Sequence, residues 1–223
     1  MAINNASLVR ALGEAHTKYR SGPTAVRTGG VIAPLHRFCV EELVTRGFPE
    51  SSLHPKRHDQ KGPKRVRLLG GYMPKEIDVC LTIPDSGPLL AISVKSQMSS
   101  IIKNTINRFE EYVGDATNLH TRYPMLVLGF MMLIPENEET FVGGTPTEGL
   151  HRIAALLERS NARRVVTEPS GSYEVSTLLL VNFRSTLPQL NPHYPEEGSS
   201  LRVENFFDKL FELYRQRNQF VKL

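Results

Sequence analysis

The chain has 223 residues, 40% hydrophobic and 22% charged, which is the composition of an ordinary globular protein with a sizeable core and room for one large domain. Its net charge of +4 is only a mild pull toward a polyanionic partner. No run approaches the roughly 18 apolar residues that span a bilayer, and MAINNASLVRALGEAH lacks the apolar stretch of a signal peptide, so a membrane protein is not expected and a cytoplasmic one is.

The spacing of Leu8, Leu12, Ala15 and Tyr19 predicts a helix over 5–19, ended by the turn SGP at 21–23. A second helix, over 33–46, carries Leu35, Phe38, Cys39, Glu42 and Leu43 on one broad face and stops at Gly47. Cys39 and Cys80 form no CxxC pair and read as reduced core thiols. The stretch 51–64 is a loop. From His54 to Lys75 there are seven Lys or Arg (Lys56, Arg57, Lys61, Lys64, Arg65, Arg67 and Lys75) against one acid, Asp59. Such a run is either a solvated loop or a surface for phosphate contacts.

Three strands follow, RVRLL (65–69), KEIDVCLTI (75–83) and LLAISVK (89–95), the last two joined by the turn residues PDSG. Then come a helix over 99–119, the apolar strand MLVLGFMMLI (125–134), a helix over 147–160 behind the turn residues Gly143-Gly144, the strand STLLLVNF (176–183) and a last helix over 202–220. The two apolar strands are too continuous to be half-exposed, so helices should cover both sheet faces. The expected fold is a single α/β domain with a mixed sheet.

Within AISVKSQ, Lys95 interrupts what reads as an interior strand. If PDSG closes an antiparallel hairpin, Asp78 opposes Ser93 and Glu76 opposes Lys95, so these four side chains share one sheet face. Lys95 then either ends the strand in a surface ion pair with Glu76 or takes part in chemistry. Asp78 lies between Ile77 and Val79, and Ile92 and Val94 precede Lys95, so neither strand looks like an exposed edge. Buried charge is costly unless paired or metal-bound. A carboxylate and a lysine converging beside a basic loop suit metal-assisted attack on a phosphodiester, the acid holding Mg²⁺ and the lysine orienting or deprotonating water.

A helix, three antiparallel strands with Asp on the second and x-x-Lys on the third, then a helix and a strand, resembles the core of the PD-(D/E)xK nuclease superfamily. The resemblance covers about residues 33–134. It implies a restriction-endonuclease-like fold, a mixed β-sheet flanked by helices. It also implies Mg²⁺-dependent hydrolysis of double-stranded DNA to 5′-phosphates, by a type II restriction endonuclease or a DNA-repair nuclease. Carried over by position, Asp78 is the metal-bridging aspartate, Lys95 the motif lysine and the Val94 carbonyl a further metal oxygen. The dipeptide Pro84-Asp85 is a decoy in the turn.

The family's second acid, two residues before the lysine, is Ser93 here. One branch of restriction endonucleases has this Ser-x-Lys arrangement and takes its acid from the following helix. With Ile102, Ile106, Phe109 and Val113 as the core stripe, Glu110 lies about 70° from the stripe's centre and Glu111 points almost directly away. Glu110 is therefore the expected replacement, at a spacing slightly longer than that branch's, although contact with Asn107 or Gly114 would explain it too. Glu42, on the apolar face with Leu35 and Phe38, is a second source of acid, ahead of Glu41. Gln97 either binds phosphate or a metal-bound water, or is a strand-end polar residue. Lys56, Arg57, Lys61, Lys64 and Arg65 are the expected DNA contacts.

Cutting both strands with one site per chain favours a homodimer. The last helix, with Phe206, Phe207, Leu210, Phe211, Leu213 and Tyr214, carries apolar surface for an interface unless the core uses it. Zinc is not expected, because His54-x-x-x-His58 has no acidic or cysteine companions. The alternative class is a DNA-binding module without cleavage, which Ser93 favours. A third is a structural protein whose polar cluster is an ion-pair network.

Overall fold

The computed structural model describes residues 1–22, 29–55, 66–137, 141, 144–161 and 163–221. Helices α1 (Asn5–Arg20) and α2 (Ala33–Thr45) match the predicted spans closely. Asn4 caps α1 by accepting the Ser7 N–H at 3.0 Å, and a proline sits in the first turn of α2.

Among the described residues eight strands follow in chain order with three more α-helices: β1 (Leu53–His54), β2 (Val66–Leu69), β3 (Pro74–Ile77), β4 (Val79–Ile83), β5 (Gly87–Ser96), α3 (Ile101–Arg122), β6 (Val127–Pro135), α4 (Pro146–Ser160), β7 (Val175–Asn182), β8 (Gln189–Leu190) and α5 (Phe206–Arg217). Six strands form one mixed sheet in the order β1-β4-β5-β6-β7-β8. The central β5, β6 and β7 run parallel, with α3 and α4 in their crossovers, and the flanking pairs are antiparallel. The fold is α/β, a mixed sheet flanked by helices, as expected.

Alternation along β5 divides the interior in two. Leu90, Ile92 and Val94 pack with α1, α2 and α5, including Leu12, Leu35, Phe38, Phe206 and Leu210. Ala91 belongs to the opposite face, packed with Ile101, Tyr112 and Leu119 of α3 and Ile153 and Leu157 of α4. The parity of the strand sends Ser93 and Lys95 to that second face.

The β4–β5 register is the predicted one, Val79↔Ile92, Cys80↔Ala91 and Leu81↔Leu90, up to an irregularity between Leu81 and Thr82. KEIDVCLTI, however, is not one strand. It breaks at Asp78, and β3 pairs instead with β2 in a separate two-stranded ribbon, where Glu76 faces Arg67 and Lys75 faces Leu68. Glu76 therefore does not oppose Lys95. The physical reason is a side chain acting as a strand neighbour: Asp78 Oδ2 accepts the Val94 N–H at 2.8 Å, the donor that a continuing β4 backbone would have taken.

Phe206, Phe207, Leu210, Leu213 and Tyr214 are all buried, and Phe48 meets Phe211 and Tyr214 edge-on. The apolar excess of α5 is thus used inside the chain, and the reason given for a dimer interface there falls away. Phe206 presses on β6 so closely that a Cβ on Gly129 would lie 2.9 Å from its ring. Both cysteines are buried and free. No helix among the described residues is long and apolar enough to cross a membrane.

The C-terminal helix is tied to the sheet by the fully buried Glu174. Its Oε1 accepts from Arg163 Nη1 at 2.7 Å and Arg217 Nη1 at 2.6 Å, while Oε2 accepts the Leu128 N–H at 2.7 Å and stands 3.3 Å from His120 Nε2. Burial pushes this carboxyl up, but His120, Arg217 and the Leu128 N–H together hold it below the usual glutamate value. Because the folded value is depressed, the stability it contributes is present above the unfolded glutamate pKa. That contribution is lost as pH falls through the folded value. Glu174→Gln should cost about 3–5 kcal/mol, since it leaves buried guanidiniums without their carboxylate. Urea unfolding at neutral pH measures this, and the gap between the variant and the parent should narrow in acid.

Candidate active site

The end of the β4–β5 hairpin brings two groups of polar side chains to adjacent residues, Val94 and Lys95. On the α2 side, Asp78 is 4% exposed, holds the Val94 N–H and stands 3.5 Å, through Oδ1, from His36 Nε2. A strand residue turns its own N–H and C=O to the same neighbour, so the Val94 carbonyl faces the Asp78 edge as well.

On the opposite face, Lys95 Nζ donates to Glu111 Oε1 at 2.9 Å, and Arg108 Nη1 donates to Glu111 Oε2 at 2.7 Å. Lys75, on β3, stands 2.6 Å from Asp115 Oδ1 and 4.0 Å from Glu111 Oε1. Three cations and two carboxylates thus share one side of α3, all partly exposed. A polar groove of about 260 Å³, lined by Asn104, Asn107, Arg108 and Glu111, opens beside them.

The two acids are driven apart. Burial pushes Glu111 up, but hydrogen bonds and charge from Lys95 and then Arg108 win, leaving it below the usual glutamate value. For Asp115 burial wins over Lys75 and Lys95, with Glu111 adding repulsion, and its carboxyl sits above the usual aspartate value. Beneath them Tyr173, fully enclosed, has its phenol held well above its ordinary value by burial, then by Asp115 and Tyr112, with the Ser93 hydroxyl opposing as a hydrogen-bond partner. Ser93 therefore lines this second group.

The acid that reaches Lys95 is Glu111 and not Glu110, which is exposed. The predicted phase of α3 is off by one residue, about 100° of helix rotation. Ile101, Thr105, Tyr112, Ala116 and Leu119 are the buried stripe; Ile102, Phe109 and Val113 only flank it, and Ile106 is 40% exposed. Thr105 and Ala116 made the true stripe look weaker than the row of larger apolar residues beside it. Asp115, one turn beyond Glu111, follows from the same correction.

The other expectations divide. Glu42 is buried, accepting the Asn4 N–H at 2.8 Å and Arg46 Nη1 at 2.5 Å, and Arg46 continues to Asp208 of α5 at 2.8 Å. It therefore fastens the N-terminus and α5 to α2, about 9 Å along that helix from His36. Glu41 binds Ser7 and Arg10 of α1. Gln97 is buried and its amide donates to the carbonyls of Ser100 and Ile101, shaping the entry to α3. Lys56, Arg57, Lys61, Lys64 and Arg65 lie outside the described residues.

Asp78, Glu111 and the Val94 carbonyl are hard oxygen donors, the set that suits Mg²⁺ and not zinc. Among the described residues no three His, Cys, Asp or Glu side chains converge as a cage. Mg²⁺ ordinarily uses one or two carboxylates with water and substrate phosphate, a set that Asp78 and the Val94 carbonyl on one edge of β5 fit, whereas Glu111 stands on the opposite face with its oxygens taken by Lys95 and Arg108.

Removing single cations tests this electrostatic assignment. Lys75→Met should move the Asp115 carboxyl further up while leaving Glu111 nearly unchanged; Lys95→Met should raise Glu111, which then keeps Arg108 at 2.7 Å and the longer contact to Lys75 at 4.0 Å. Carboxyl-carbon NMR titration of the two variants reads both shifts. Comparison of the chain with protein-family models, with curated proteins and with solved structures finds no match, so these side chains are what speaks to function.

Proposed function

We propose that this chain is a Mg²⁺-dependent endonuclease of the PD-(D/E)xK type that hydrolyses phosphodiester bonds in double-stranded DNA, as a sequence-specific type II restriction endonuclease. The observation that carries the reading is the meeting of Lys95 with Glu111 at 2.9 Å while the neighbouring Val94 is held by Asp78 at 2.8 Å. It supplies the Ser-x-Lys strand with an acid from the following helix.

Asp78 and the Val94 carbonyl would hold the metal, which when bound would neutralise phosphate charge and make its water a better nucleophile, while Glu111 would orient Lys95. The chain's own groups divide the remaining work. An ammonium has three donors, so Lys95 can keep Glu111 and still reach a phosphate oxygen or the attacking water. Arg108 and Lys75 leave the cluster with one more positive than negative charge, which favours a phosphodiester in the groove. Asn104 and Asn107 offer neutral amides to the same backbone. Hydrolysis joins the water oxygen to phosphorus and breaks the bond to the 3′ oxygen, which leaves as a hydroxyl. Two such sites in a two-fold dimer would cut both strands.

Incubating the purified protein with DNA of varied sequence in Mg²⁺ should give discrete fragments that EDTA abolishes. Lys95→Ala and Glu111→Ala should each lower the rate by about 100-fold or more, the scale of a lost catalytic proton-transfer or charge-stabilising group. Glu110→Ala should cut like the parent. Salt-sensitive binding that survives Lys95→Ala, with no cutting by any form, would instead identify a DNA-binding module.

A further inference from the structure

His36 brings a nitrogen to the oxygens of the Asp78 edge. It lies in the first turns of α2, on a face that is buried together with Cys39 and Val40 one turn on. Its neighbours Leu35 and Phe38 pack with Ile92 and Val94, so α2 lies on the face of β5 that carries Val94. His36 thereby reaches Asp78. Its Nε2 stands 3.5 Å from Asp78 Oδ1, and both side chains are buried.

That separation is long for a hydrogen bond from nitrogen to oxygen, whose usual length is about 2.9–3.0 Å. It is close to the spacing of two donors on one cation. Bonds of about 2.1 Å, meeting at octahedral to tetrahedral angles, put neighbouring donor atoms roughly 3.0–3.4 Å apart. The two carboxylate oxygens of Asp78 divide accordingly: Oδ2 accepts the Val94 N–H at 2.8 Å, and Oδ1 is turned to His36. The Val94 carbonyl faces the same edge. One imidazole nitrogen, one carboxylate and one carbonyl oxygen thus border one place.

Donor type decides the ion. Imidazole suits transition metals, whereas carboxylate, carbonyl and water suit Mg²⁺, Ca²⁺ and Mn²⁺. Mn²⁺ accepts both kinds. A zinc centre ordinarily takes three or four protein side chains, and among the described residues no three His, Cys, Asp or Glu are grouped to hold one. Mg²⁺ binds through oxygens and keeps several waters, so it gains little from a nitrogen. We propose that His36 Nε2 is a metal ligand beside Asp78 and the Val94 carbonyl, and that it makes this site hold Mn²⁺ more tightly than Mg²⁺. The proposal rests on the nuclease reading for placing a metal at Asp78 and Val94, and adds to it a nitrogen ligand and a metal preference.

The test titrates the full chain with Mn²⁺ in the absence of DNA. Electron paramagnetic resonance counts the free ion, and spin-echo modulation of the bound ion reports a directly bonded nitrogen. At one equivalent the parent should show coupling to one nitrogen, and Mg²⁺ should displace Mn²⁺ only at about tenfold excess or more. His36→Gln should bind Mn²⁺ at least about tenfold more weakly, without the coupling and with Mg²⁺ affinity nearly unchanged. Asp78→Asn should weaken both ions and lose the coupling while His36 is still present. A parent whose bound Mn²⁺ shows no nitrogen, or that binds Mn²⁺ no better than Mg²⁺, overturns the proposal whatever the variants do. Coupling that persists in His36→Gln or in Asp78→Asn also overturns it, because the ion is then held elsewhere. Mn²⁺ held by His36 in a protein that cuts no DNA keeps the ligand and removes the nuclease reading. Metal-dependent cutting that is lost in Lys95→Ala, by a parent whose Mn²⁺ shows no nitrogen, keeps that reading and removes His36.

Discussion

A carboxylate standing in for a strand is the constraint on which the site depends. By taking the Val94 N–H, Asp78 ends the β4 ladder at Val79, four residues short of Lys75, where the sequence pattern would carry it. The chain before it is then free to leave the sheet, pair with β2 and lie over α3. Three consequences follow from that departure. Lys75 comes to Asp115, the ribbon's turn comes to Asn118, and Lys95, without a β3 residue opposite, takes its partner from the helix. A single side-chain-to-backbone bond thus sets which acids and which bases meet.

Two charged clusters in the molecule illustrate opposite uses of burial. Around Glu174 every charge is enclosed and the carboxylate's acceptor sites are filled by two arginines and a backbone amide, with histidine alongside. That arrangement has no capacity for a ligand, and its value is in tying α5 to the sheet. The Lys95 cluster is partly solvated, holds three cations for two acids and borders a groove. Ion pairs so exposed contribute little to stability. What they do hold is an ammonium and two carboxylates in fixed positions at a strand end, with the two acids displaced in opposite directions.

Local chemistry made much of the fold legible. PDSG gave the β4–β5 register because a short turn leaves few choices, and the uninterrupted apolar strands implied the two helical layers. Helix α4 opens with Thr145 and Glu148 in a capping box, a signal readable from residues alone. The illegible parts depended on contacts between distant segments. Nothing near Asp78 says that its carboxylate will meet Val94. The two-residue strands β1 and β8 are too short to carry a period. Glu42 looked anomalous on an apolar face, and its answer was local after all: Arg46, one turn on, neutralises it. On α3, Thr105 and Ala116 sit in the buried stripe with Ile101, Tyr112 and Leu119, so the row of uniformly large apolar residues beside it was the wrong one.

That error conceals a relation between Ser93 and Glu111. Tyr173 shares a hydrogen bond with Ser93 and feels the charge of Asp115 and Glu111, so residue 93 and the helix acids act on one phenol. A carboxylate at 93 would be a third acid there, facing two others above a buried phenol, and mutual repulsion would drive at least one of them to hold its proton. Serine at 93 removes that conflict and leaves a neutral hydroxyl for Tyr173. Negative charge comes to Lys95 from Glu111 on the helix instead, at 2.9 Å. The charge that meets Lys95 is therefore set by the helix packed on its strand and not by the strand itself.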